Sequence, residues 1–236
     1  MGGALTRSLG RNATAHTDPY FSSVVLLAQL VECNGSTTFT DKTARHTLTS
    51  NGGAATGNGT PPSFQATSLV LGTSKYVSMT DSADWNFGSG DFTVEYFAIQ
   101  STNGSAQATI AQFGSTDKGT AMFESTVIEH DYSTDGTTNV ATNASFTSTS
   151  WAHRATSRVG NTLYVCHNGT IKATRDVTGV TMRDSARPMV IGANNDGTTA
   201  FFGGNICAVR ITKGVGRYSG SVSSSYTIPT QPYPAS

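Results

Sequence analysis

No stretch of this chain keeps a helical register. Gly, Ser, Thr and Asn interrupt it every few residues, and no window of eleven carries apolar side chains at i, i+3 and i+4. Strands are therefore what the sequence can form. Runs of strand composition occupy 24–31, 68–71, 76–80, 91–99, 108–113, 120–127, 151–157, 162–167, 171–177, 189–191 and 205–212. In 91–99, Phe92, Val94, Tyr96 and Ala98 alternate with Thr93 and Glu95, which predicts one face on a core and the other toward water or a rim. Asn168-Gly169 between two such runs is a type I′ hairpin signal, because both residues tolerate positive φ. About eleven short strands without helices predict an all-β, two-sheet antiparallel jelly-roll sandwich.

Polarity in this chain is carried by hydroxyls. Ser and Thr make up roughly a quarter of 236 residues while charged residues are 13%. Fifteen basic residues balance fifteen acidic ones, so no basic field exists to attract nucleic acid. The longest apolar run, 24–28, is too short to span a bilayer, and 1–9 lacks a signal-peptide apolar segment. These features predict a soluble protein that is not exported and binds neither nucleic acid nor membrane. Cys33, Cys166 and Cys207 are odd in number and share no metal-ligand spacing; the expectation is free, buried thiols.

Catalytic signals are absent. No pair of glutamates has the one-strand spacing of a retaining glycosidase, and no Gly-x-Ser-x-Gly elbow occurs. Glu124, Glu129, His130 and Asp131 form the densest ionisable cluster; within Glu129-His130-Asp131 only Glu129 and Asp131 could share a strand face, and a turn-edge cluster is the expected role. No enzyme activity and no cofactor are expected. For a metal, the weak candidate is the Asn194-Asn195-Asp196 loop, whose residue types are also those that turns require. Trp85 and Trp151 are expected in core or corner positions, leaving Tyr132, Tyr218 and Tyr226 as surface aromatics, of which Tyr132 and Tyr218 are the candidate glycan platforms.

The two ends differ from the middle. Residues 1–18 lack alternation and form an extended arm; residues 19–236 form the domain, closed by a proline-locked tail with Pro229, Pro232 and Pro234.

Asp18-Pro19-Tyr20-Phe21, the stretch 34–41, Tyr76-Val77-Ser78, the stretch 81–95 from Asp81 to Glu95, Gly160-Asn161-Thr162 with Asn168-Gly169-Thr170, Phe202-Gly203-Gly204, and Val209 to Val215 form one frame along the chain. That frame resembles the laminin G-like, concanavalin A-like jelly rolls of tailed, often marine, bacteriophages. The chain departs from that frame at Val31 and Cys207, where acidic residues are expected; a calcium site built on those positions would be weakened. The resemblance implies a non-enzymatic virion structural protein on the particle surface, made in the host cytoplasm. It would be a capsid decoration protein whose partners are the major capsid protein first and tail proteins second, and it could self-associate on the particle. Arg7, Arg11, Tyr20, Phe21, Tyr226, Ile228 and Tyr233 are the expected docking residues. The alternative is a carbohydrate-binding adhesion module of a head or tail fibre.

Overall fold

A computed structural model describes residues 17–59, 61–101, 107–146 and 150–236. Arg7 and Arg11 lie outside the described residues. Among the described residues sixteen strands run in chain order: β1 (Val24–Ala28), β2 (Thr38–Phe39), β3 (Leu48–Asn51), β4 (Ala55–Gly57), β5 (Ser68–Leu71), β6 (Tyr76–Met79), β7 (Phe92–Gln100), β8 (Gln107–Phe113), β9 (Lys118–Glu124), β10 (Val127–Tyr132), β11 (Val140–Ser145), β12 (Ala152–Val159), β13 (Thr162–His167), β14 (Thr170–Asp176), β15 (Met189–Ile191) and β16 (Gly204–Lys213). One sheet has the order β14-β13-β12-β7-β16-β5-β4, with β1 also paired to β16; the other has the order β11-β10-β9-β8-β15-β6-β3-β2. Pairing is antiparallel in the central ladders of both sheets. This is the all-β sandwich that the alternation predicts.

The main core lies between the sheets. Val94, Tyr96, Leu163, Val165 and Ile211 of the first sheet meet Ile110, Met122, Ile128, Val77 and Met189 of the second, and Trp85 packs at the same layer. Asn168 and Gly169 have φ of 44° and 82°, the two positive angles of the β13–β14 hairpin.

Five elements escape a reading of the sequence: β2, β3, β4, β10 and β11 are short or polar, and they pair with strands already in place more than from their own propensity. The stretch 120–127 is not one strand; β9 ends at Glu124 and β10 begins at Val127. Glu129, His130 and Asp131 therefore sit inside a strand, not at a turn edge. Cys33 is exposed, whereas Cys166 and Cys207 are buried.

The largest correction concerns the outer face of the first sheet. Thr93 and Glu95 are fully buried, because the chain ends lie across that face. Val24, Leu27, Phe97 and Cys207 form a second apolar layer there with Tyr233, against which Phe21 and Ile228 pack. Ala155, Cys166, Ile171 and Tyr218 form a third, joined by Tyr226.

Candidate binding cleft

Two buried polar assemblies flank the first sheet, one on each face, and they differ in how completely their groups are paired. The outer one centres on Glu95. In β16 the register slips between Cys207 and Arg210, and this bulge, with Ala208 at φ 50°, sets Arg210 opposite Glu95 on the same face. Arg210 Nε donates to Glu95 Oε1 at 2.8 Å, and Tyr218 OH donates to Oε2 at 2.7 Å. His153 Nε2 lies 3.1 Å from the same oxygen, and its Nδ1 lies 2.9 Å from Tyr226 OH. A neutral ring donating from Nε2 and accepting at Nδ1 satisfies both contacts.

Asp18 completes this assembly, accepting from Arg210 Nη1 at 2.9 Å and from Arg217 Nη2 at 2.7 Å. Two carboxylates thus balance two guanidinium groups. Burial alone would raise the Glu95 pKa, but Arg210 and His153 outweigh it and hold the carboxyl well below the usual range. With its four charges matched, the cluster fastens both chain ends to the sheet. Asp18, placed in the arm by sequence, belongs to this fastening.

The inner assembly is incomplete. Arg154, on the core side of β12, is fully buried, and its Nε donates to Glu124 Oε1 at 3.1 Å. Tyr96 OH donates to that same oxygen at 2.9 Å and lies 2.7 Å from Thr109 Oγ1. Arg154 Nη1 and Nη2, Glu124 Oε2 and His167 Nε2 are buried with no hydrogen-bond partner among the described residues. Each such group costs on the order of 1–3 kcal/mol relative to a satisfied one.

Beside them lies a cleft of about 470 Å³, lined by Thr126, Ser145, Phe146, His167 and Lys172. Arg154 is the cross-strand partner of His167, and its guanidinium sits 4.9 Å from the centre of the Phe146 ring. The Phe146 and His167 rings are 4.7 Å apart and both line the cleft, whereas the Arg154 side chain does not. Burial, then the charges of Arg154 and Lys172, push the His167 pKa down to about 3, so the ring is neutral near pH 7. None of the residues lining the cleft is a site candidate in the sequence.

The sequence candidates fall elsewhere. Tyr132 and Tyr218, expected on the surface as glycan platforms, are 3% and 9% exposed: Tyr132 faces the central core and Tyr218 is held by Glu95. Tyr233 is buried with Arg210 4.0 Å from its ring centre, and Phe21, Tyr226 and Ile228 pack on the same sheet, so these side chains are not free to insert into a neighbour. Tyr20 alone of the described docking candidates is exposed, at 48%. In the Asn194-Asn195-Asp196 loop, the Asp196 carboxylate is already paired with Arg187. Among the described residues no three His, Cys, Asp or Glu side chains converge as a metal site would require.

Glu129 and Asp131 do share the outer face of β10. Burial and the neighbouring Glu129 charge push Asp131 up to about 7. The pair is enclosed by its own strand neighbours: Asn139 donates to Asp131 at 2.7 Å, Asn143 donates to Glu129 at 2.8 Å, and Ala121 and Ala141 stand across from Asp131.

A family model described as the Concanavalin A-like lectin/glucanases superfamily, of laminin G type, matches residues 71–215, which is more than half of the chain. The chain belongs to the concanavalin A-like lectin/glucanase superfamily. No curated protein sequence matches it. Among solved structures, this concanavalin A-like sandwich is similar to the binding domain of Paraclostridial Mosquitocidal Protein 1 (13% identity, TM-score 0.66, covering 83% of this chain and 50% of that one). It is also similar to the binding domain of Botulinum neurotoxin DC in complex with SialylT (14%, 0.63, 83% and 49%) and to the receptor binding domain of the botulinum neurotoxin C/D mosaic serotype (10%, 0.63, 83% and 49%). The chain therefore spans about half the length of these structures, and at such identities the likeness is one of fold.

Proposed function

We propose that this chain is a non-enzymatic saccharide-binding module carried on the surface of a tailed-phage particle. The observation that carries the binding reading is the cleft of Thr126, Ser145, Phe146, His167 and Lys172, which combines hydroxyls, an aromatic ring and a cation above buried polar groups that lack partners. A polar ligand supplies such partners; a hydrophobic one would not. The superfamily description names lectins, and the similar solved structures are called binding domains, one of them bound to SialylT. Against hydrolysis stands the burial of Asp131, which with the half-exposed Glu129 is the carboxylate pair on a shared strand face that sequence brought forward: Asp131 is 3% exposed, which leaves a glycosidic bond no route to both groups.

The particle reading rests on the sequence resemblance to phage jelly rolls. It is supported by the chain's path: Asp18 N donates to Ser236 O at 2.9 Å, so both ends of the described structure meet at one pole. Attachment there, through Tyr20 and through Arg7 and Arg11 of the preceding segment, leaves the cleft free for ligand.

A glycan array probed with the full chain, alongside a reducing-sugar assay on any polysaccharide retained, tests the binding half. Retention without sugar release is expected. Absence of retention, or release of reducing ends that disappears in Glu129→Gln, contradicts it. For the particle half, deletion of residues 1–16 is expected to abolish co-sedimentation with assembled virions, and undiminished co-sedimentation contradicts it.

A further inference from the structure

We propose that the cleft beside Arg154 selects acidic saccharides, taking a carboxylate or sulfate group on its cationic side and a neighbouring sugar hydroxyl on its acidic side. This inference rests on the saccharide-binding reading and specifies its ligand. Lys172 lines the cleft, and the buried Arg154–Glu124 pair lies against its Phe146 and His167; His167 contributes no charge because its pKa is pushed down to about 3. One positive charge is therefore in excess, and a single anionic group neutralises it.

The unused hydrogen-bonding valence has the same pattern. Among the described residues Arg154 uses only Nε, on Glu124 Oε1, while Nη1 and Nη2 have no acceptor; Glu124 Oε2, on the other side of that ion pair, has no donor. Donors without acceptors next to an acceptor without a donor match a ligand that carries an anion and a hydroxyl on adjacent positions. A sugar acid or a sulfated sugar does so; inorganic sulfate and a neutral sugar each supply half. Guanidinium is suited to the anion because it presents two parallel N–H donors to two oxygens.

Access sets a condition. The Arg154 side chain is fully buried beside Phe146 and His167, with Phe146 itself 8% exposed. Lys172, Thr126 and Ser145 line the opening and make the first contacts; the ligand's anion then reaches Nη1 and Nη2 as the Phe146 ring swings aside and comes to flank the sugar. The sugar-binding energy is thus partly spent on moving one ring.

Isothermal titration of the full chain tests this with N-acetylneuraminic acid, N-acetylglucosamine 6-sulfate, their neutral counterparts galactose and N-acetylglucosamine, and sodium sulfate. At least one acidic sugar is expected to bind about tenfold or more tightly than any neutral one, and Lys172→Glu to weaken it by about tenfold or more, with affinity falling as salt rises. Lys172 is only half-buried and outside the core, so this variant keeps the fold, verified by an unchanged melting temperature. Phe146→Ala is expected to change the acidic-sugar affinity and leave that of sodium sulfate at the opening unchanged. Neutral sugars binding as tightly as acidic ones, an acidic sugar unaffected by Lys172→Glu, or sodium sulfate alone binding would each overturn the proposal. If neutral glycans bind and Lys172→Glu has no effect, saccharide binding stands and acidic selectivity falls. If no glycan binds at all, both fall.

Discussion

At the scale of single residues, the two faces of the first sheet use buried charge for different ends. Glu95 has Arg210, His153 and Tyr218 on its oxygens, and Asp18 offsets the second guanidinium. Removing one member strands the others, so Glu95→Ala is expected to cost about 3–5 kcal/mol in chemical denaturation. Its pH signature has a definite sign. A carboxyl held below its ordinary value of 4.5 in the folded state stabilises the protein above that pH and loses the contribution as pH falls below it. Glu95→Gln should therefore flatten the acid limb of the stability curve.

Asp131 works in the opposite direction. Its ordinary value of 3.8 is raised to about 7 by burial and by Glu129, so the folded state favours the protonated form. Stability from this site is full below about pH 4 and is lost as pH rises through about 7. His130, pushed down to about 3 by burial, adds a contribution that is lost as pH falls below 6.5. In wild type the two oppose each other between pH 4 and 6.5. Asp131→Asn is expected to remove the first and leave a stability that rises steadily from pH 4 to 7; melting temperatures taken across that range check it, and an unchanged profile would mean Asp131 is ionised in the fold.

At the scale of elements, the chain ends matter as packing, not as free arms. The tail from Tyr226 to Ser236 covers Val24, Leu27 and Phe97 with Tyr233 and Ile228. Truncation before Tyr226 is expected to cost roughly 3–6 kcal/mol, from the burial of those two large side chains alone, and a melting temperature within a degree of wild type would contradict it. This element also shows where reading the sequence succeeds and fails. The alternation in β7 and the Asn-Gly hairpin were legible because period-two burial and positive φ are local properties. That Glu95 and Thr93 would be buried was not legible, because the cover comes from both chain ends, distant in sequence. For the same reason Tyr218 looked like a surface aromatic and Tyr233 like a docking residue. The cleft was hidden more deeply: Arg154 and His167 face each other across the β12–β13 hairpin, but only sheet stacking brings Glu124 of β9 to Arg154.

At the scale of the molecule, the two sheets divide the work. The outer face of the first sheet is sealed by both chain ends, whose charges are matched and whose apolar side chains are packed. The unpartnered polar atoms of Arg154, Glu124 and His167 lie at the end where β11, β13 and β14 form the cleft. A second groove of about 370 Å³ runs between Thr17–Pro19 and Thr227–Pro234, floored by Arg210 and Tyr233. Arg210 there is already engaged by Glu95 and Asp18, which leaves that groove little unused charge to recognise a ligand.

These two openings can be told apart directly. Backbone amide chemical shifts of the full chain, recorded with and without a glycan retained on the array, report which one a saccharide enters. The account predicts perturbations centred on Thr126, Ser145, His167 and Lys172 that are lost in Lys172→Glu, with the residues from Thr227 to Gln231 unmoved. Perturbations confined to Thr227–Gln231 and Thr17, with the cleft silent, would contradict it.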